Sequence, residues 1–539
     1  MSPTTIDALR SAVEEAATAL TSETPRSRPT LERPKKAEFG DFSTNAAMLL
    51  AKGLGQPPRD VAARLADALT ERLGDRLERT EVAGPGFLNL YLADGWYVSA
   101  LRGLVDAGDA WGGGTVAARE KVNVEFVSAN PTGPIHLGHA RNAAFGDAIA
   151  RILAFHGHDV AREFYVNDAG VQITKFGESL LARARGEDVP EDGYKGAYIA
   201  EVAAQIDGAA EMDAATLGAR GVELMVARMQ ETLARFDVRH DEFFSERSLH
   251  AGSPSEVEQA FAVLAEQGRT YEKDGALWVR TSELGDDKDR VVRKANGELT
   301  YYASDIAYHW DKRQRGFDRM LDVLGADHHG YVGRMKAAVA AIGEDPAIIE
   351  LLIMQFVHLV RGGERASMSK RAGEFVTLDD LLDEIGSDAA RWFLLNRSHD
   401  TTIDLDLDLA VQENSTNPVY YVQYAHARIV SLLAKAGTEV DLAAVPDVSL
   451  VPAERALLQR LLAFPAVVAE ASDKREPHKV ATYALELARE FTGFYEQAPI
   501  LKDDVAADSR TFRLALAAVT QRTIARSLAL LGVSAPQSM

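Results

Sequence analysis

The sequence predicts an α/β protein in three parts: a parallel-sheet unit in the middle, a small α/β unit before it and an all-helical bundle after it. Three observations carry this expectation. The middle alternates strand and helix patterns at short spacing, which favours parallel strands joined by right-handed crossovers. The first 110 or so residues mix helical and strand periods and close on the loop Trp111-Gly112-Gly113-Gly114. From about residue 378 helical spacing dominates. A chain of 539 residues accommodates about three or four domains, and the boundaries are drawn at 1–112, 118–378 and 379–539.

Composition narrows the class. With 46% hydrophobic residues the chain can bury real cores, and with no cysteine it forms neither disulfides nor thiolate metal sites. Met1 to Leu20 carries Asp7, Glu14 and Glu15 without a basic stretch leading into an apolar core, so no secretory signal is expected. The longest apolar run, Ile348 to Val360, is broken by Glu350 and His358 and is too short to span a bilayer. A soluble, cytoplasmic protein with no membrane contact is expected. The net charge of −21 disfavours general polyanion binding, but screening over about 8 Å at physiological salt leaves local basic patches free to act. Arg26, Arg28, Arg33, Lys35 and Lys36, set among prolines, form such a patch or a solvated linker.

The elements follow in order. Residues 5–20 and 57–78 have helical spacing, and Val82 to Leu92 reads as a strand interrupted by Gly84-Pro85-Gly86. Val122, Val124 and Phe126 alternate as a strand, Asn130-Pro131-Thr132-Gly133-Pro134 breaks the ladder, and a helix begins near Ile135. Val160 to Val166 is a second strand, with a helix from Val171. Residues 190–270 are largely helical and read as an insertion between the two halves of the sheet. Trp278-Val279 and Val291-Val292 mark short strands around the turn at Asp286 to Asp289. Leu321 to Gly325 runs into the polar turn Asp327-His328-His329-Gly330, and Leu351 to Val360 is a further apolar strand. Thr377 with Asp380 makes a capping box, Ser387 to Arg391 starts another helix, and Asn417-Pro418 is an N-cap followed by a first-turn proline. Phe512, Leu516, Val519, Ile524, Leu528 and Leu531 form one stripe of a bundle.

The stretch Val124 to Asp147 is where chemistry concentrates. Strand, turn and helix together aim unpaired N–H groups and the positive end of a helix dipole at whatever lies above the turn, which favours a phosphate. His136 and His139 occupy the first helical turn, and Gly138 between them lets a flat ring approach the backbone. A metal pair would want a third ligand nearby, and the sequence offers none. Taken alone, the four residues also fit two surface histidines.

His136-Leu137-Gly138-His139 resembles the ATP-binding signature of class I aminoacyl-tRNA synthetases and related nucleotidylyl transferases. The longer string from Glu125 through Ser128, Asn130 and Pro134 into it is similar to the arginyl-tRNA synthetase family. A second segment about 230 residues on, Arg365 to Gly373, resembles the mobile Lys-Met-Ser-Lys-Ser loop of the same class. Ser367 stands where the first lysine would be and Arg371 replaces the final serine, while the second lysine is kept as Lys370. Many arginyl enzymes lose that lysine and carry another at the position of Gly133, so Gly133 with Lys370 is a self-consistent combination. The resemblance implies a Rossmann-like catalytic domain in which His136 and His139 hold phosphates, Gly138 meets the adenine, Pro134, Met368 and Ser369 complete the ATP site, and Lys370 neutralises the leaving pyrophosphate as the transition state forms. Magnesium would arrive with ATP, and no protein-bound zinc or other resident metal is expected.

Arginine as substrate is a planar cation with five donors, which calls for a carboxylate and neighbouring acceptors. Tyr301 and Asp305, four apart, share a helix face, and Glu125 lies on the first strand. The resemblance implies that Tyr301 and Asp305 contact the guanidinium, that Ser128 and Asn130 lie near the amino-acid backbone groups, and that Asp327 or His328 touches the amino acid or the ribose. Residues Phe39 to Asn45 and Gly84 to Asn89 are similar to an appended N-terminal domain that meets the tRNA elbow, where Phe87 and Asn89 would stack on and hydrogen-bond an unpaired base, unless Phe87 is core. Asn417 to Arg428 is similar to a helical anticodon-binding domain, with Tyr420 and Tyr424 stacking on bases and Arg428 meeting phosphate or a base edge. A helix cannot present Tyr420, Tyr421 and Tyr424 on one side, so at least one packs inward. Lys474, Arg475, His478 and Lys479 form a second backbone-contacting patch or a solvated loop.

The function implied is ATP-dependent activation of L-arginine and its transfer to the 3′-terminal adenosine of tRNA(Arg), by a monomer. A class I enzyme for another amino acid such as lysine shares the acidic pair. A small-molecule nucleotidylyl transferase would need no helical bundle, and a catalytically inactive tRNA-binding paralogue would not need His136, His139 and Lys370 intact.

Overall fold

The computed structural model describes residues 5–21, 27–34, 36–366, 376–437 and 444–539. Its centre is a five-stranded, wholly parallel sheet in the order Ile349–Met354, Arg319–Gly325, Lys121–Glu125, Asp159–Val166, Glu242–Ser245. The strand order reverses between Lys121–Glu125 and Arg319–Gly325, which opens a crevice over their carboxyl ends. Val122 and Val124 are fully buried, as strands covered on both faces require.

The helix after the first strand spans Leu137–His156 and starts two residues later than expected, because His136 stays extended and caps it. Most of this helix is buried, and small residues bring it against the sheet: a Cβ at Gly146 would lie 2.2 Å from the Phe126 ring. The later expectation of a helix from Val171 is met by Val171–Ala184.

Several expectations need correction. The helix expected over 57–78 stops at Leu73, because Gly74 takes a positive φ and Leu77 already belongs to a strand. What reads as one interrupted strand from Val82 to Leu92 is a hairpin: Leu77–Ala83 pairs antiparallel with Phe87–Leu92, and Gly84-Pro85-Gly86 is the turn between Ala83 and its partner Phe87. The region 190–270 is largely helical, as expected, but it is not wholly an insertion. Glu242–Ser245 is the edge strand of the central sheet, where Phe243 stacks on Phe164 and Phe244 on Tyr165. Four residues between helices give too short a period to register. The apolar run Leu351 to Val360 is two strands, Ile349–Met354 in the central sheet and Val357–Arg361 in a second sheet beside Glu364–Arg365 and Ile403–Asp406. The last of these strands also interrupts the run of helices expected after residue 378.

Thr377 and Asp380 form the expected capping box, and the helix Leu378–Leu395 is broken at Gly386 (φ 74°), so a helical segment does begin at Ser387. The bundle that follows comprises Pro418–Ala436, Pro452–Leu462, Phe464–Asp473, His478–Gln497 and Ala507–Leu530. Asn417 caps its first helix, and the stripe from Phe512 to Leu531 is buried.

Buried charge fixes the bundle to the sheet. Arg391, fully buried, donates to Asp147 on the Leu137–His156 helix at 2.5 Å and to the Leu531 carbonyl at 2.7 Å. Arg475 grips both oxygens of Glu350 at 2.9 and 3.0 Å, while Lys474 and Lys479 pair with Glu470. Three members of that second basic patch are therefore engaged by acids. Among the described residues no helix is long and apolar enough to cross a membrane.

Candidate active site

A cavity of about 470 Å³ lies over the carboxyl ends of Lys121–Glu125, Arg319–Gly325 and Ile349–Met354. Its shape begins with strained backbone. Val127 (φ 71°) and Ser128 (φ 41°) are in the left-handed region, which for a β-branched residue costs about 1–3 kcal/mol and persists only where neighbours enforce it. The enforcing residue is Asn142 on the signature helix. Its Oδ1 accepts from the Val127 N–H at 2.6 Å and its amide donates to the Val323 carbonyl at 2.7 Å, so helix, loop and adjacent strand are pinned together. The twist places Ser128 Oγ to donate to Glu125 at 2.9 Å and accept from the Tyr165 N–H at 3.1 Å.

One group of side chains is the histidine pair of the helix start. The rings of His136 and His139 face each other at 3.9 Å. His136 Nδ1 accepts from the Gly138 N–H at 3.0 Å, so the ring's own proton sits on Nε2, and burial pushes its pKa down and keeps it neutral. Gly138 is required for space, because a Cβ there would lie 2.8 Å from the His136 ring. The expectation of unpaired N–H groups at this helix start is corrected: the Leu137 N–H donates to the Val376 carbonyl, that of Gly138 to His136 Nδ1, and that of His139 to the His136 carbonyl.

The second group is acidic. Lys312, wholly buried, donates to Glu125 at 2.7 Å and to Asp322 at 2.9 Å. Burial opposes its charge, but Asp322 and Glu125 hold the ammonium above its ordinary range. His309 Nε2 donates to Asp322 at 2.9 Å; burial would discharge it, and the Asp322 carboxylate raises it instead. Asp322, despite burial, is held well below the usual carboxylate range by Lys312 and His309. Glu125 and Asp322 are thus already matched. Asp305 and Glu246 are not: neither has a lysine or arginine partner among the described residues. Asp305 lines the cavity and accepts from the Tyr331 hydroxyl; burial lifts it to about 6, and Glu246 and Glu125 push in the same direction. Burial also raises Glu246, against the opposing hydrogen bonds of Ser304 and Tyr165. A carboxyl that lines the cavity without a lysine or arginine partner among the described residues is suited to pair with a cation.

The cavity brings together Glu125, Ser128, His136, Gly138, His139, Asp305 and His328 of the residues expected from sequence. Asn130 and Pro134 lie exposed on the turn outside its lining, and Tyr301 is 63% exposed one turn before Asp305. Met368, Ser369 and Lys370 fall outside the described residues, as does the side chain of Asp327. Phe87 is 38% exposed at the hairpin tip, whereas Asn89 is buried and its Oδ1 accepts from Ser43 at 2.8 Å, so the ring and not the amide faces solvent. Tyr420 and Tyr424 stack on one face of their helix and Arg428 follows four residues on, over the Tyr495 ring, while Tyr421 turns inward to Thr492. Sequence reasoning missed Asn142, Glu246, Lys312, Asp322 and Tyr331. Glu246 had a signal, an acid directly after the strand Glu242–Ser245, hidden because that strand was not recognised.

Comparison with known proteins accords with this geometry. The arginyl tRNA synthetase N terminal domain model matches residues 6–92, the catalytic domain model of class I (R) tRNA synthetases matches 106–188 and 205–431, and the DALR anticodon binding domain model matches 422–539. The catalytic model alone takes in more than half of the chain. Among solved structures, a Campylobacter jejuni protein provisionally assigned as an arginyl-tRNA synthetase is 34% identical over 83% of this chain and all of its own, with a TM-score of 0.76. The Thermus thermophilus arginyl-tRNA synthetase is 26% identical over 99% of this chain and all of its own, with a TM-score of 0.77. The Plasmodium falciparum arginyl-tRNA synthetase, 15% identical over 99% of both chains with a TM-score of 0.74, shares the fold.

Proposed function

This chain belongs to the class I arginyl-tRNA synthetase family, and from that premise we propose a division of labour among its residues. The family activity is ATP-dependent activation of L-arginine followed by charging of tRNA(Arg). One observation carries the assignment of substrate to pocket: Asp305 lines the cavity with Glu246 close behind it, and neither has a lysine or arginine partner among the described residues, while the neighbouring Glu125 and Asp322 are matched by Lys312 and His309.

In this reading the guanidinium lies between Asp305 and Glu246, with Tyr301 closing over it and Tyr331 orienting Asp305. Glu125, held by Lys312 and Ser128, receives the α-ammonium, with Asn130 beside it. The carboxylate then points toward the histidine turn. There it attacks the α-phosphate in line, the bond to the bridging oxygen breaks, and pyrophosphate leaves with its electron pair. No protein nucleophile is needed, so rate enhancement comes from positioning and from charge stabilisation in the transition state. His136, donating from Nε2, and His139 hold phosphate oxygens. Gly138 leaves room for the adenine, Pro134, Met368 and Ser369 complete the ATP site, and Lys370 meets the departing pyrophosphate. His328 or Asp327 takes the ribose. Magnesium comes bound to the phosphates of ATP; the acids nearest the cavity are engaged with Lys312 and His309 or suited to the amino acid.

The same premise assigns residues 1–112 to a tRNA-elbow domain presenting Phe87, 118–378 to catalysis, and 379–539 to anticodon binding through Tyr420, Tyr424 and Arg428. A cytoplasmic monomer is the corresponding state. The test is amino-acid-dependent ATP–pyrophosphate exchange, with and without tRNA(Arg). Exchange with arginine and none with lysine is expected; exchange with lysine at comparable kcat/KM would overturn the assignment of Asp305 and Glu246.

A further inference from the structure

Arg141 carries a charge into the interior, and among the described residues no acid is bonded to it. It is 1% exposed on the signature helix, two residues past His139, and its hydrogen bonds run to backbone carbonyls: Nη1 to Gln355 at 2.9 Å and to Thr401 at 2.8 Å, and Nη2 to Ser398 at 2.8 Å. Burial pulls the guanidinium down to about 10, offset in part by Asp400. A buried guanidinium without a bonded carboxylate is costly, and an aliphatic side chain would fill the space at less cost, so the position calls for a reason.

The three carbonyls supply one. Gln355 is where the chain leaves the strand Ile349–Met354 of the central sheet, before Val357–Arg361 joins the second sheet. Ser398 and Thr401 belong to the turn that feeds Ile403–Asp406, the parallel partner of Val357–Arg361. Crossover and turn are stitched to each other by the Gln355 N–H on the His399 carbonyl at 2.9 Å and the Ile403 N–H on the Phe356 carbonyl at 3.0 Å. Arg141 stitches both to the helix that bears the histidines. The crossover segment Met354 to Val357 lines the cavity along with His136, Gly138 and His139.

We propose that Arg141 is a positioning residue that sets the width of the slot between the two-histidine turn and the wall formed by Met354 to Val357, and thereby the binding of ATP. The inference rests on the assignment of that end of the cavity to ATP. The acids Asp305 and Glu246 are carried by other elements, Tyr301–Gln314 and Glu246–Leu249, and receive nothing from Arg141.

The experiment compares the parent with Arg141→Met and Arg141→Lys in arginine-dependent ATP–pyrophosphate exchange with tRNA(Arg) present, alongside ATP affinity by titration calorimetry and thermal unfolding. Arg141→Met is expected to raise the KM for ATP at least tenfold and to leave the KM for arginine within twofold. Arg141→Lys, which keeps a charge and up to three donors, recovers part of that loss. Equal rises in both KM values, an unchanged KM for ATP, or a lysine variant no better than methionine would overturn the proposal. Where Arg141→Met does not fold, Arg141→Lys carries the test alone, and the KM for ATP must still rise several-fold against an unchanged KM for arginine. Should the parent prefer another amino acid, the pocket assignment fails, while calorimetric ATP affinity still decides the role of Arg141.

Discussion

Lowering the pH through 6 is expected to expel arginine from the pocket while the fold is still intact. Asp305, lifted to about 6 by burial, must ionise before it can pair with a guanidinium. Between pH 7.5 and 5.0 the ionised fraction of a carboxyl at about 6 falls from about 97% to about 9%, so arginine affinity drops roughly tenfold from this residue alone. Burial raises Glu246 as well, which steepens the fall. The groups facing Asp305 fit this direction: Tyr331 donates to it, His309 favours its charge, and Glu125 and Glu246 oppose it. The sign for the empty fold is the reverse. A carboxyl raised above its ordinary 3.8 favours the folded state at low pH and loses that contribution as pH rises through about 6, so bound arginine restores stability above 6. The assay is titration calorimetry of arginine alone, free of the titration of ATP, in two buffers of different ionisation enthalpy. Proton release near pH 6 and a tenfold weaker Kd at pH 5.0 are expected. Asp305→Asn should remove the Asp305 share of the proton release and, by removing one member of a buried charge pair, weaken binding by about 2–5 kcal/mol, thirtyfold or more. A pH-independent Kd from 7.5 to 5.0, or an asparagine variant that binds like the parent, would refute the reasoning.

Other expectations follow from the same arrangement. Lys312→Met leaves Glu125 and Asp322 buried without their cation, and should lower stability by about 3–5 kcal/mol in urea unfolding and raise the KM for arginine. Lys370→Ala removes a charge used in the transition state, and should cost about 2.7–4 kcal/mol in kcat for exchange, a hundredfold or more, with KM values nearly unchanged. Tyr424→Ala takes away a ring that is 45% exposed, and should weaken tRNA binding by about 1–3 kcal/mol in filter or fluorescence titrations without altering the KM for arginine.

The parts of the fold that were legible from sequence are those with long periods or strong punctuation. The strand-turn-helix at Val124 to Asp147, the helix from Val171, the capping box at Thr377 and the stripe from Phe512 each carry a pattern repeated over several residues. Glu242–Ser245 did not, because four residues flanked by helices cannot establish a period of two. The break at Gln355 was invisible for a different reason: Leu351 to Val360 is apolar on both sides of the point where the chain changes sheets. In the pocket, motif residues His136, Gly138, His139, Glu125 and Asp305 were legible. Lys312 and Asp322 were not, since their meaning lies in a three-way contact with Glu125 among residues far apart in sequence. The helix start differed from expectation for a local reason, because its first N–H groups found Val376 and His136 as partners.

The most direct test of the account is to identify the product formed from the full chain, ATP, magnesium, an equimolar mixture of arginine and lysine, and tRNA(Arg). The account predicts AMP, pyrophosphate and arginine esterified to the 3′-terminal adenosine, with lysyl ester absent. A lysyl ester, or tRNA bound but left uncharged in the presence of arginine, would contradict it.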